Sequence, residues 1–170
     1  MPRFDEAGLF RMPTEWLDRH ALRELVLQTL YAYELGRQDP EYLYRELIAS
    51  RLEHDPVGRE FTWKLYRRVL DHLDVLDAFI ERHATNWDLE RIAVLDRIAL
   101  RMAIAELLYF EDIPPKVSLD EAIELVKKFS TEESHRFVNG VLDSILQELR
   151  RTGRLHKTGR GLIETSLDEE

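Results

Sequence analysis

Residues 113–149 read IPPKVSLDEAIELVKKFSTEESHRFVNGVLDSILQEL, and this stretch decides the fold. Pro114 and Pro115 cannot donate to a helix ladder and push their predecessors toward extended backbone, so the chain turns there. Ser118 with Glu121, and Ser130 with Glu133, have the spacing of capping boxes, in which hydroxyl and carboxylate satisfy orphan N–H groups at a helix start. They predict helices over 119–129 and 131–150. The second presents Phe137, Val138, Val141, Leu142, Ile145 and Leu149 as one apolar face. Asn139-Gly140 usually signals a hairpin, but no alternating strands flank it, so Gly140 is expected to mark close approach of another helix.

Toward the N-terminus the same period recurs. Ile92, Leu95, Ala99, Met102, Ala103 and Leu107 form a helical run that follows a joint at Asn86-Trp87-Asp88. Asp55-Pro56 opens a single long stripe through Phe61, Leu65, Val69, Leu73, Leu76 and Ile80, and Asp39-Pro40 opens a shorter one through Leu43, Leu47 and Ile48. In both, a side-chain cap precedes a proline at the first helical position. The first helix carries Leu22, Leu25, Leu27, Thr29, Ala32 and Tyr33, and Gly36 is its expected left-handed cap. No period-2 alternation points to a strand. The fold class is all-α, with about seven helices.

Of 170 residues, 24 are Lys or Arg and 33 are Asp or Glu, a net charge of −9. Such a balance argues against sequence-blind coating of nucleic acid, while local patches still decide phosphate contact. With no cysteine, disulfides, thiolate nucleophiles and cysteine-based zinc sites are excluded, and the composition fits a reducing cytoplasm. No apolar run approaches the ~20 residues of a membrane span, and no signal-peptide pattern opens the chain. The six histidines form no His-x-x-x-His pair, no serine lies in a nucleophile elbow, and Gly159-Arg160-Gly161 lacks the context of a phosphate cradle. No catalytic residue, metal site or cofactor is expected. After residue 150, Arg150, Arg151, Arg154, Lys157 and Arg160 precede Glu164, Asp168, Glu169 and Glu170, so residues 151–170 are expected to form a flexible charged tail whose basic half could help hold an anionic partner.

Three segments taken together resemble the NusB family of bacterial transcription antitermination factors: residues 23–31 (RELVLQTLY), residues 96–107 (DRIALRMAIAEL) and residues 113–142. The resemblance covers roughly residues 19–150. It implies two three-helix bundles packed crosswise, 19–85 and 86–150. Residues 1–18 precede it as an N-terminal extension, which by its own composition is loose, and Trp16 is expected to pack on the bundle. The resemblance also implies binding of boxA RNA, a heterodimer with the small-subunit ribosomal protein NusE, and a place in the RNA polymerase antitermination complex on ribosomal RNA operons. No catalysis and no membrane are implied, and homo-oligomerisation stays open.

Carried over by position, the family's arginine-rich start of helix one corresponds to Arg19, His20 and Arg23. Family members often have three or four basic residues there, so the cluster is thin, and each phosphate neutralised contributes a salt-dependent increment. Glu133, Arg136 and Phe137 match positions near the RNA, where an aromatic stacks a splayed base and a carboxylate accepts from a base edge. Packing and capping are the competing readings of Phe137 and Glu133. Lys116 matches a family lysine in the diproline turn, and Tyr31 a tyrosine at the surface shared by NusE and RNA. Asp96, with Arg97 beside it, falls where the family carries an acid facing NusE, although by charge pattern alone the pair reads as exposed decoration. Two alternatives remain: a protein-only helical scaffold, and a relative of the N-terminal module of RNA cytosine methyltransferases, whose catalytic domain and nucleophilic cysteine do not occur here.

Overall fold

The computed structural model describes residues 3–4, 10–11, 18–85 and 87–163. Among them run seven α-helices: α1 (Arg19–Gly36), α2 (Pro40–Leu47), α3 (Pro56–Asp71), α4 (Leu73–His83), α5 (Val94–Tyr109), α6 (Pro115–Phe129) and α7 (Glu132–Arg151). The all-α reading holds. The one departure is a minimal antiparallel pair, β1 (Arg3–Phe4) with β2 (Phe10–Arg11). The expected packing of Trp16, the residue Asn86 of the joint and the acidic end 164–170 lie outside the described residues. No helix among the described residues is long and apolar enough to cross a membrane.

The proline-led helices start where expected, because the signal is local. Asp39 Oδ2 accepts the Tyr42 N–H at 3.0 Å and Asp55 Oδ1 accepts that of Gly58 at 2.8 Å. Other boundaries differ. α1 continues through Gly36 and ends at Arg37, a non-glycine residue at φ 52° whose N–H reaches Tyr33 O at 2.8 Å. The stripe over 56–83 is two helices, because His72 leaves helical geometry (φ −125°, ψ 26°). α6 starts at Pro115, which needs no N–H partner, so Ser118 lies inside the helix; it is 1 % exposed and donates to Glu106 Oε1 at 3.0 Å instead of capping. α7 is capped by Thr131, whose Oγ1 accepts the Ser134 N–H at 3.3 Å, while Ser130 ends α6.

The chain forms two compact units, residues 1–66 and 67–170. In the first, Leu22, Val26, Leu27 and Leu30 of α1 are buried, as are Leu43 and Tyr44 of α2 and Phe61 and Leu65 of α3. Tyr44 is hydrogen-bonded to Thr62 at 3.0 Å and stacks edge-on against Trp63 at 4.7 Å, tying α2 to α3. Burial pushes the Tyr44 hydroxyl pKa up, because the phenolate would lose solvation.

In the second unit α5 is the central element, packed on α4, α6 and α7 and buried continuously from Ile98 to Leu107. Its one buried cation, Arg101, forks onto Asp77 of α4 at 2.7 and 2.9 Å, the bidentate geometry that makes such a pair strong. α4 packs on α5 and α7, and so belongs with the second of the two units. Gly140 is exposed with open space where a Cβ would stand, so the expected close approach of a helix there is wrong.

Residues 152–163 are not a free tail. Lys157 is 9 % exposed and its ammonium donates to Glu106 O at 3.1 Å and Phe110 O at 2.6 Å, satisfying carbonyls at the C-terminal end of α5. The Thr158 N–H donates to Glu111 O at 2.9 Å, and Gly161 lies so close to that carbonyl that no side chain fits. A basic run reads as solvated in sequence, but here one of its cations is a helix cap supplied from a distance.

Candidate nucleic-acid and partner surfaces

The start of α1 carries the first group. Asp18 caps it, accepting the Ala21 N–H at 2.9 Å, and the first turn holds no acid. Cations at a helix N-terminus work against the macrodipole, so Arg19 is placed against local stability. Arg19 is exposed with its guanidinium 4.6 Å from the Phe61 ring centroid, and His20 Nε2 lies 3.1 Å from Glu24 Oε1. Arg23 is different: it is 2 % exposed, 5.4 Å from the same ring. In this conformation it is a buried packing residue and presents no surface for a phosphate. Farther along α1, Tyr31 is 37 % exposed.

The second group lies at the start of α7. Glu132 and Glu133 occupy the first turn, where carboxylates complement the dipole, and Glu133 and Arg136 are exposed. Phe137 is half-buried at the edge of the apolar stripe, whereas Val138, Leu142 and Ile145 are fully enclosed. Its ring meets Trp87 edge-to-face, with centroids 6.0 Å apart and planes at 61°. Trp87, 52 % exposed, was legible in sequence only as part of a joint; its pairing is tertiary and no periodicity signals it. Lys116 is exposed in the first turn of α6.

Asp96 is not surface decoration. It is 5 % exposed in the first turn of α5, and its Oδ2 accepts the Ser134 hydroxyl at 2.7 Å, joining the starts of α5 and α7. Ser134 also lies 3.1 Å from Ser130 Oγ and 3.0 Å from Thr131 Oγ1, so a short chain of hydroxyls ends on the carboxylate. The other oxygen, Oδ1, is buried without a hydrogen bond. Arg97 is half-buried and donates to Leu89 O at 3.0 Å. The structure thus gathers Glu133, Arg136, Phe137 and Asp96 around the first turns of α7 and α5. It groups Arg19 with Phe61 on the other unit. Among the described residues no cluster of three metal-ligating side chains occurs.

The profile of the NusB family matches residues 20–147. The transcription antitermination protein NusB of Salinibacter ruber is 51 % identical over 152 residues, covering 89 % of this chain and 95 % of that one. Among solved structures, NusB of T. maritima superposes with a TM-score of 0.72 at 37 % identity, over 77 % of this chain and 92 % of that one. A structure of the antitermination factors NusB and NusE in complex with dsRNA gives 0.69 at 28 % identity, over 76 % and 96 %.

Proposed function

The chain belongs to the NusB family, and from that premise we propose that it is a non-catalytic transcription antitermination factor of the cytoplasm. It binds boxA-type single-stranded RNA and pairs with the ribosomal protein NusE, supporting RNA polymerase processivity on ribosomal RNA operons. The solved complex of NusB and NusE with dsRNA supports the partner assignment. One observation carries the RNA reading: an exposed carboxylate, an exposed guanidinium and a half-open aromatic ring, Glu133, Arg136 and Phe137, stand within one and a half turns at the start of α7. These supply an acceptor for a base edge, a cation for phosphate and a stacking face. Arg19, His20 and Lys116 add the backbone contacts. Tyr31 and the Asp96–Arg97 corner of α5 serve the protein partner.

The burial of Arg23 favours a second reading, a protein-only scaffold, because it thins the α1 cluster further. Anisotropy of a labelled boxA-like RNA, against a scrambled one, with and without NusE and at two salt concentrations, separates them. Selective binding that weakens steeply with salt and tightens with NusE is expected. No selective binding even with NusE would leave only the scaffold.

A further inference from the structure

Trp87 belongs to none of the roles above. Its indole is 52 % exposed, although an enclosed aromatic side chain removes ~150–250 Å² from water. The position is fixed: the Trp87 N–H donates to Ala84 O at 3.1 Å, and a 3-10 turn over Leu89–Arg91 follows directly. Its only ring partner among the described residues is Phe137, at 61° and 6.0 Å. Two rings at that angle leave aromatic face uncovered and make a corner open to a flat group.

The surrounding charge is mixed. On α7, beside Phe137, Arg136 and Glu133 are exposed; on the Trp87 segment Glu90 is exposed and Arg91 pairs at 3.8 Å with Asp88. This is a poor seat for a run of phosphates and a good one for an uncharged heteroaromatic ring whose polar edge can reach a carboxylate or guanidinium. Building on the RNA reading of the α7 surface, with which this corner is continuous, we infer that Trp87 and Phe137 form a two-ring seat for one unpaired RNA base, Trp87 supplying a stacking face. Stacking of a base on an aromatic residue is sequence-tolerant and releases no counterion. The seat therefore adds affinity without adding to the salt slope.

The chain carries three tryptophans, so a W16F/W63F protein reports on Trp87 alone. Titrating it with a boxA-like single strand should quench its fluorescence. W87A should bind that RNA roughly tenfold more weakly, a change equal to about 1.4 kcal/mol, with the salt slope and NusE affinity unchanged, and W87F should recover most of the loss. An abasic nucleotide walked along the RNA should weaken the Trp87 protein at one position and leave W87A indifferent there. RNA binding without quenching, with W87A equal to its parent, overturns the inference and leaves the proposed function standing. So does a loss confined to NusE binding, which would make the corner a protein contact. Failure of the unsubstituted protein to bind RNA at all overturns both. Should W87A misfold, the quench and the abasic scan of the intact residue still decide.

Discussion

Replacing Ser134 by Ala tests how the two helix starts are joined. The Ser134 hydroxyl donates to a carboxylate that is 5 % exposed, at 2.7 Å, and the other oxygen of Asp96 already lacks a hydrogen bond. Removing the donor strands a buried charge, and the loss of a charge-assisted bond with its desolvation penalty gives ~2–3 kcal/mol. Helix propensity returns a few tenths. Removing the acceptor is milder: in D96A the Ser134 hydroxyl keeps Ser130 and Thr131 as partners, and the cost is the bond and the favourable dipole position, ~1 kcal/mol. S134A should therefore destabilise more than D96A, and S134A/D96A should resemble D96A alone, a coupling equal to the S134A loss, ~2–3 kcal/mol, in a double-mutant cycle. Urea unfolding followed by far-ultraviolet circular dichroism measures this, and the S134A melting point should fall by roughly 4–10 °C. A D96A loss equal to or larger than that of S134A, or additive single losses, would refute the claim that the carboxylate depends on this hydroxyl.

Further outcomes follow from other features. K157M removes two hydrogen bonds from an ammonium to carbonyls at the C-terminal end of α5 and should cost about 3 kcal/mol, seen as a melting point lowered by roughly 6–12 °C. G140A fills open space on an exposed helix face and should stabilise by ~0.5–1 kcal/mol in the same assay. The Arg82 guanidinium, hydrogen-bonded to Glu148 at 2.8 Å, holds that carboxyl below its usual range. A depressed folded pKa means a contribution present above the unfolded value and lost as pH falls through the folded one, so E148Q should lose less stability than the parent on acidification below about pH 4.5. In RNA titrations R19Q should reduce the salt slope by ~0.7, the value for one single-strand phosphate, whereas R23Q should leave the slope unchanged and lower the melting point, because Arg23 is 2 % exposed.

What the sequence discloses tracks how local the cause is. An Asp-Pro pair starts α2 and α3 on schedule because cap and ring act within four residues. The break at His72 carries no glycine or proline, and the apolar stripe passes through it unchanged, so periodicity alone joins α3 to α4. Ser118 has the spacing of a cap, but Pro115 starts the helix earlier and a buried carboxylate on α5 claims the hydroxyl. Glu133, Arg136 and Phe137 were singled out through resemblance; the structure leaves Glu133 and Arg136 exposed and Phe137 half-buried. The misreadings of Arg23 and Asp96 share one cause: charge predicts exposure, and both are enclosed by residues distant in sequence. Trp87 was invisible as a ring partner because edge-to-face pairing with Phe137 joins a loop to a helix fifty residues on.

The contact of Lys157 with α5 also has an order in time. The acceptor carbonyls, on Glu106 and Phe110, leave the ribosome 51 and 47 residues ahead of their donor. At ~5–20 residues per second that interval is roughly 2–10 s. Residues 1–66 have by then been complete for longer still, so the earlier unit can settle while the later one waits. During the wait the C-terminal end of α5 keeps its local backbone bonds, Phe110 N–H to Glu106 O at 3.1 Å and Ile113 N–H to Phe110 O at 3.4 Å, but lacks the ammonium. A nascent chain interrupted before Lys157 would contain all seven described α-helices and still lack this seal, a molecule helical by spectroscopy and softer at one end of its central helix.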